Sequence, residues 1–259
     1  ESEALCLPYS AGQLRIGSIN LWNDYEKIII ALAKEKQEII VNYQHGGEYG
    51  ILKSKIHANI VELCMGVFVT WGWSYSGGKT SIIPLPSPFH SMVFNKHSPK
   101  NNRIIIVGSG FRLLVKRLHW WSRSDMPKKY YNTVFEFIEN LDERVRESSI
   151  YRPYNRWSDD VDGRSIVKKR FPKLEMLDED FHGAMLSCGL VVFYSYGTAM
   201  SHSMAANVPT VIYKLPNMPA PREEARPLFE SLERCGIIHN DPISAAAHIN
   251  RIWPNVQEW

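Results

Sequence analysis

The feature that most constrains this chain is a run of four apolar residues, Ile104 to Val107, inside RIIIVGSG at 103–110. A strand that is apolar at every position suits a sheet covered by helices on both faces, which in practice means a parallel sheet. Two further strands of similar character follow, GLVVFYS (189–195) and VPTVIYK (208–214). Between them lie helical patterns. Tyr131, Val134, Phe135, Ile138 and Leu141 recur at helical spacing, and TAMSHSMAAN (198–207) reads as a short helix. The tail adds a helix carrying Leu228, Phe229 and Leu232 that stops near Gly236. A last helix starts at Asp241 as N-cap, with Pro242 in its first position; both residues favour a helix start. SSIYRPY (148–154) predicts one more strand, ending at Arg152 and Pro153, whereas 155–180 is polar and takes no clear element.

The first third repeats the alternation. DYEKIIIALAKEKQ (24–37) predicts a helix, EIIVNY (38–43) a strand and QHGGEYG (44–50) a glycine-rich turn. A helix over 51–65 and a strand over 66–73 follow. Strands alternating with helices imply an α/β fold with parallel strands and crossover helices. Residues 74–103 break the pattern with Gly77, Gly78, Pro84, Pro86, Pro88 and Pro99, and predict an interdomain linker. The expected division is residues 1–88 and residues 89–259.

Composition removes several function classes. A net charge of +3, with basic residues spread along the chain, argues against a nucleic-acid partner. Cys6, Cys64, Cys188 and Cys235 form no CxxC pair, so no zinc site is expected. Cys64 and Cys188 sit in apolar runs and read as buried free thiols. Asp160-Val161-Asp162 matches a metal-binding DxD pattern, but it lies in a polar loop and reads as solvated acids. Neither a metal nor a cofactor is expected. No apolar run reaches membrane-spanning length and no signal peptide is evident, which predicts a cytoplasmic protein. FRLLVKRLHWW (111–121) leaves open a peripheral contact with the inner face of the membrane, beside the plainer reading of a half-buried helix with snorkelling basic residues. The chain begins with Glu rather than Met, compatible with a piece of a longer protein.

Four segments could carry chemistry. In YSYGTA (194–199) a strand runs into a helix. A helix start offers unpaired N–H groups and the positive end of the macrodipole, where phosphate prefers to sit. Ser195, Gly197 and Thr198 are the candidates there, against the alternative of an ordinary strand–helix turn. In QHGGEYG, His45 could act as a general base or hold an anion, with Gln44, Gly46 and Gly47 shaping a close approach to ligand. Glu48 is the weaker acid/base candidate. GSGFR (108–112) could contact phosphate through Ser109 and backbone amides. The guanidinium fork of Arg152, at a strand end, suits a phosphate or carboxylate; a surface ion pair would explain it equally well.

Taken together, YQHGGEYG, the TWGW strand, GLVVFYSYGTAMSHSMAANVPTVIY and the tail ending in HINRIW resemble a family of transferases encoded among bacterial O-antigen and surface-carbohydrate genes, over about Trp22 to Trp259. More loosely, they are similar to Kdo transferases and to teichoic-acid glycerophosphotransferases. The resemblance implies a GT-B fold: a C-terminal Rossmann-like domain that holds a nucleotide sugar, preceded by part of an N-terminal Rossmann-like domain on the acceptor side. It implies a metal-independent glycosyltransferase moving a sugar from a nucleotide-sugar donor to a surface polysaccharide, lipopolysaccharide or other lipid-linked glycan acceptor. His45 would serve catalysis and Ser195 to Thr198 would meet the donor phosphates. Where many relatives carry a Glu at the start of the following helix, this chain has Ser201, His202 and Ser203. The alternatives are a CDP-polyol phosphotransferase and a non-catalytic nucleotide- or carbohydrate-binding module.

Overall fold

The computed structural model describes residues 14–17, 24–53, 66–74, 80–111, 125–154, 161–178, 180–216 and 218–259. The chain divides into two compact units: Glu1–Ser91 with Pro219–Ala225, and Met92–Met218 with Arg226–Trp259. The first unit therefore includes a short segment drawn from late in the chain.

In the first unit, strand β1 (Leu14–Gly17), helix α1 (Asp24–Glu35) and strands β2 (Ile39–Tyr43), β3 (Val67–Trp71) and β4 (Ser81–Leu85) precede helix α2 (Pro88–Val93), which runs across the boundary. The strands lie side by side in chain order and are all parallel. This corrects the expectation of a linker over 74–103, since β4 and α2 lie inside it. Pro84 pairs in register with Thr70. Proline gives up a ladder donor, which an edge strand tolerates, and β4 is the edge of this sheet among the described residues. Its largely exposed positions hid it from a search for apolar runs. The helix expected from residue 51 is also corrected at its start. Leu52 forms an antiparallel bridge with Pro221, flanked by Lys53 N–H to Ala220 O at 3.1 Å and Arg222 N–H to Ile51 O at 2.8 Å. Residues 54–65, the rest of that predicted helix, lie outside the described residues.

The second unit carries β5 (Ile104–Val107), α3 (Met126–Glu139), α4 (Glu143–Glu147), β6 (Ser149–Arg152), α5 (Gly163–Arg170), β7 (Glu175–Met176) and α6 (Phe181–Ser187). There follow β8 (Leu190–Phe193), α7 (Thr198–Ala205), β9 (Thr210–Tyr213), α8 (Arg226–Arg234), β10 (Ile238–His239) and α9 (Pro242–Ile252). The polar stretch 155–180 thus supplies α5 and β7. The sheet order is β10-β9-β8-β5-β6-β7, with every neighbouring pair parallel. The chain enters at the centre, builds outward through β6 and β7, then returns to the other side of β5. That is the doubly wound order, with its switch point between β5 and β8.

All residues of β5, β8 and β9 are buried. Tyr130, Val134, Phe137 and Ile138 of α3 and Ala245, Ala246 and Ile249 of α9 belong to the same core as Ile104, Ile106 and Val192. Burying each large apolar side chain of this kind contributes roughly 1.5–3 kcal/mol. The expected cap at Asp241 is present, its carboxylate accepting the Ser244 N–H at 2.8 Å. Cys188 is buried and Cys235 exposed. Of 111–121, Phe111 alone is described, and it is 1% exposed. No helix among the described residues is long and apolar enough to cross a membrane.

The tail builds a histidine cluster whose titration is testable. His248 lies tilted against His239 and edge-on to Trp259, with ring centroids 4.9 and 5.2 Å apart. Its Nδ1 accepts a hydrogen bond from the Arg251 guanidinium at 2.8 Å. Gly236, at φ +77°, passes so close that a Cβ there would stand 2.6 Å from His248 Cε1. Burial first, then the charges of His239 and Arg251, pull the imidazole from 6.5 down to about 4. Burial lowers His239 as well. A histidine whose folded pKa is depressed takes up its proton first in the unfolded chain, so stability falls as the medium is acidified. Thermal stability is expected to hold above pH 6.5 and to decline between 6.5 and about 4. His248→Asn should flatten that part of the profile, as read by melting curves across pH; an unchanged slope would exclude His248 as a source.

Candidate functional site

Ligands of doubly wound sheets bind outside the carboxyl ends of the strands at the switch point. Here those ends belong to β5 and β8, where Ile106 pairs with Val192. Beyond β8 the backbone runs through Tyr194, Ser195 and Tyr196 to Gly197, the N-cap of α7. Tyr196 is 2% exposed and packs edge-on against Phe229, centroids 4.6 Å apart, which anchors the loop. Ser195, Gly197 and Thr198 are each partly exposed.

No side chain caps α7, and its first turn carries no acid. Helices α5, α6 and α9 are treated differently: Asp162, Asp180 and Asp241 each accept a backbone N–H in the first turn. A start with no side-chain cap and no acid presents the positive end of the macrodipole, which favours an anion. Gly197 supports the same reading. Its backbone is extended at φ −154°, which any residue can adopt, and a Cβ built there would meet nothing within 4 Å. Neither conformation nor packing in the described residues requires glycine at this position.

The GSGFR turn behaves in the opposite way. Gly108 N–H donates to Arg152 O at 2.8 Å and Ser109 N–H to the Tyr130 hydroxyl at 3.0 Å. A Cβ at Gly108 would lie 2.5 Å from the Tyr151 hydroxyl, and one at Gly110 would lie 2.3 Å from Tyr154 Cδ1. These glycines serve close packing. Ser109, 7% exposed, spends its amide on the core. Tyr130, which the sequence reading did not single out, thus shapes the switch point. Its hydroxyl holds Ser109 and its ring meets that of Tyr194 at 4.6 Å. Its spacing in the sequence marks a core helix and nothing more.

Arg152 closes β6 in register with Val107 of β5. Its guanidinium lies 4.5 Å from the Phe181 ring centroid and 5.7 Å from that of Tyr154. Burial lowers its pKa, while Tyr154 and Asp180 act the other way. Asp162 of the DxD pattern caps α5; Asp160 lies outside the described residues.

In the first unit, the turn after β2 is held by Gln44. Its Oε1 accepts the Trp71 N–H at 2.8 Å and the Trp73 indole N–H at 2.7 Å, and its Nε2 donates to Gly46 O at 2.8 Å. The side chain is 6% exposed. Gln44 thus ties two strand ends together, and the sequence gave no sign of its two tryptophan partners. Replacing it with Leu strands two donors, which should cost about 2–4 kcal/mol. A urea midpoint equal to that of the native chain would refute this role.

His45 follows, exposed, with Nδ1 3.0 Å from the Tyr49 hydroxyl and the two rings edge-to-face at 5.2 Å. Tyr49 is 2% exposed and stacks on Phe68. A buried partner therefore orients an exposed imidazole, with Gly46 partly exposed and Gly47 buried beside it. At the end of the neighbouring strand, Trp71 meets His90 edge-to-face at 4.9 Å. Burial lowers the His90 imidazole below its usual value.

Parallel α/β units with polar groups at strand carboxyl ends, one unit doubly wound with a helix start that no side-chain hydrogen bond caps at its switch point, define the class. Within it, the chain belongs to the LIC12162 family of transferases, which it matches over residues 16–259. A comparison with curated proteins returned no match.

Proposed function

We propose that this transferase is a glycosyltransferase of the GT-B type, moving a sugar from a nucleotide-sugar donor to a surface polysaccharide or lipopolysaccharide acceptor. The observation that carries the reading is the uncapped start of α7 at the switch point of the second unit, with Gly197 facing open space. In sugar transfer the bond between the anomeric carbon and the phosphate oxygen breaks, and negative charge grows on the departing nucleotide. Preorganised amides and a helix dipole stabilise such charge without a metal ion. Ser195 and Thr198 flank those amides and suit phosphate oxygens.

His45 of the first unit is assigned as the base that takes the proton from the acceptor hydroxyl, or as an anion ligand. In the tautomer that donates Nδ1–H to the Tyr49 oxygen, Nε2 is the basic nitrogen. Gln44 holds the turn on which His45 stands. A peripheral position at the cytoplasmic face of the membrane would suit a lipid-linked acceptor.

The test is a thermal-shift panel of CMP, CDP, UDP, GDP and TDP on the purified chain. One nucleotide is expected to raise the melting temperature in a concentration-dependent way, because a ligand that binds only the native state stabilises it by mass action. If none does, the donor reading falls. If CDP alone acts and turnover follows with a CDP-polyol, the transferred group is a polyol phosphate.

A further inference from the structure

We propose that Arg152 forms a second oxyanion site in the second unit, separate from the start of α7, that takes a carboxylate or phosphate monoester of the substrate. The idea deepens the donor reading and rests on it for the neighbouring phosphate. The guanidinium carbon lies over the Phe181 ring at 4.5 Å from its centroid and over that of Tyr154 at 5.7 Å. A guanidinium set over ring faces can keep its N–H edge as a planar fork. Among the described residues that edge makes no hydrogen bond and no ion pair. A half-buried cation with unspent donors is costly unless water or an anion meets it. Asp180 acts on Arg152 electrostatically without forming an ion pair with it among the described residues, and one of its oxygens accepts the N–H of Gly183 at 2.7 Å.

The strand that carries Arg152 is not the neighbour of the strand that leads into α7. Arg152 is level with Val107 of β5, and β5 stands between β6 and β8. The ends of β6 and β8 are therefore two strand spacings apart, roughly 10 Å. Arg152 is assigned an acid other than the phosphate at the start of α7, and the competition between phosphate and nucleotide below decides it. That acid belongs either to the sugar of the donor or to the acceptor.

The experiment is calorimetric titration of inorganic phosphate into the native chain, alone and with the nucleoside diphosphate that binds best held at saturation. Phosphate is expected to bind beside the nucleotide. Arg152→Gln should weaken that binding about tenfold or more, as for a lost charge-assisted pair, and leave nucleotide affinity unchanged. Arg152→Lys keeps the stem and charge, and should weaken it less; it serves as the readout should the Gln variant fail to fold. Asp180→Asn, which can still cap α6, should tighten it by removing a nearby negative charge. Full competition between phosphate and nucleotide would overturn the proposal. So would native-like phosphate binding in Arg152→Gln, or an equal loss of nucleotide affinity. If no nucleotide binds at all, the donor reading fails separately, and the phosphate titration of the unliganded chain still decides Arg152. Comparing UDP-glucose with UDP-glucuronate then assigns the source: a preference for the acid that Arg152→Gln abolishes places it on the sugar, and phosphate binding without that preference places it on the acceptor.

Discussion

Gly197→Val is expected to leave the fold intact and to remove nucleotide binding. At this position the backbone is extended and a Cβ would meet no atom within 4 Å, so the native structure admits a side chain. The unfolded chain loses conformational freedom when glycine is replaced at a compatible site, which by itself adds about 0.4–1 kcal/mol of stability. A bulky group in front of the α7 amides would instead occupy the space a phosphate needs. The loss in affinity should reach about a hundredfold, near 2.7 kcal/mol. Melting curves and nucleotide titrations on the same preparation separate the two effects. A melting temperature that drops sharply would mean that glycine is there for the fold. Unchanged affinity would mean that the phosphate sits elsewhere.

His45→Ala should lower kcat/KM for sugar transfer by about 10²–10⁴, the usual worth of a positioned general base. The nucleotide-induced rise in melting temperature should survive, because His45 belongs to the first unit and the α7 site to the second. Tyr49→Phe keeps the ring that stacks on Phe68 and removes only the hydroxyl that meets Nδ1. It should cost far less, since the imidazole remains present but less well oriented. Equal transfer rates for native and His45→Ala protein would take His45 out of the chemistry.

The parts of this fold that could be read from the sequence are those where one physical signal dominates. The fully apolar run of β5 had to be a buried parallel strand, and Asp241-Pro242 had to open a helix. β4 escaped because a proline in an exposed edge strand looks like a loop residue. β7 spans two residues, too few to show any period. The candidate site divides along the same line. YSYGTA and QHGGEYG stand out because strand ends rich in glycine and polar residues are hard to explain by packing. The work done by Gln44 was hidden, because its partners Trp71 and Trp73 lie 27 and 29 residues away. Ser109 and the backbone amides of GSGFR read as phosphate contacts, but the glycines of that turn pack against Tyr151 and Tyr154, which come from another strand end.

The bridge between Leu52 and Pro221 has a consequence for biosynthesis. A ribosome releases the amino-terminal strands long before Ala220, Pro221 and Arg222 emerge, so the first unit must wait, incomplete, through translation of most of its neighbour. Nascent chains stalled at residue 91 would lack the partner of Leu52, whereas those extended past residue 225 could close it. Limited proteolysis of such stalled chains should show when the early strands become protected.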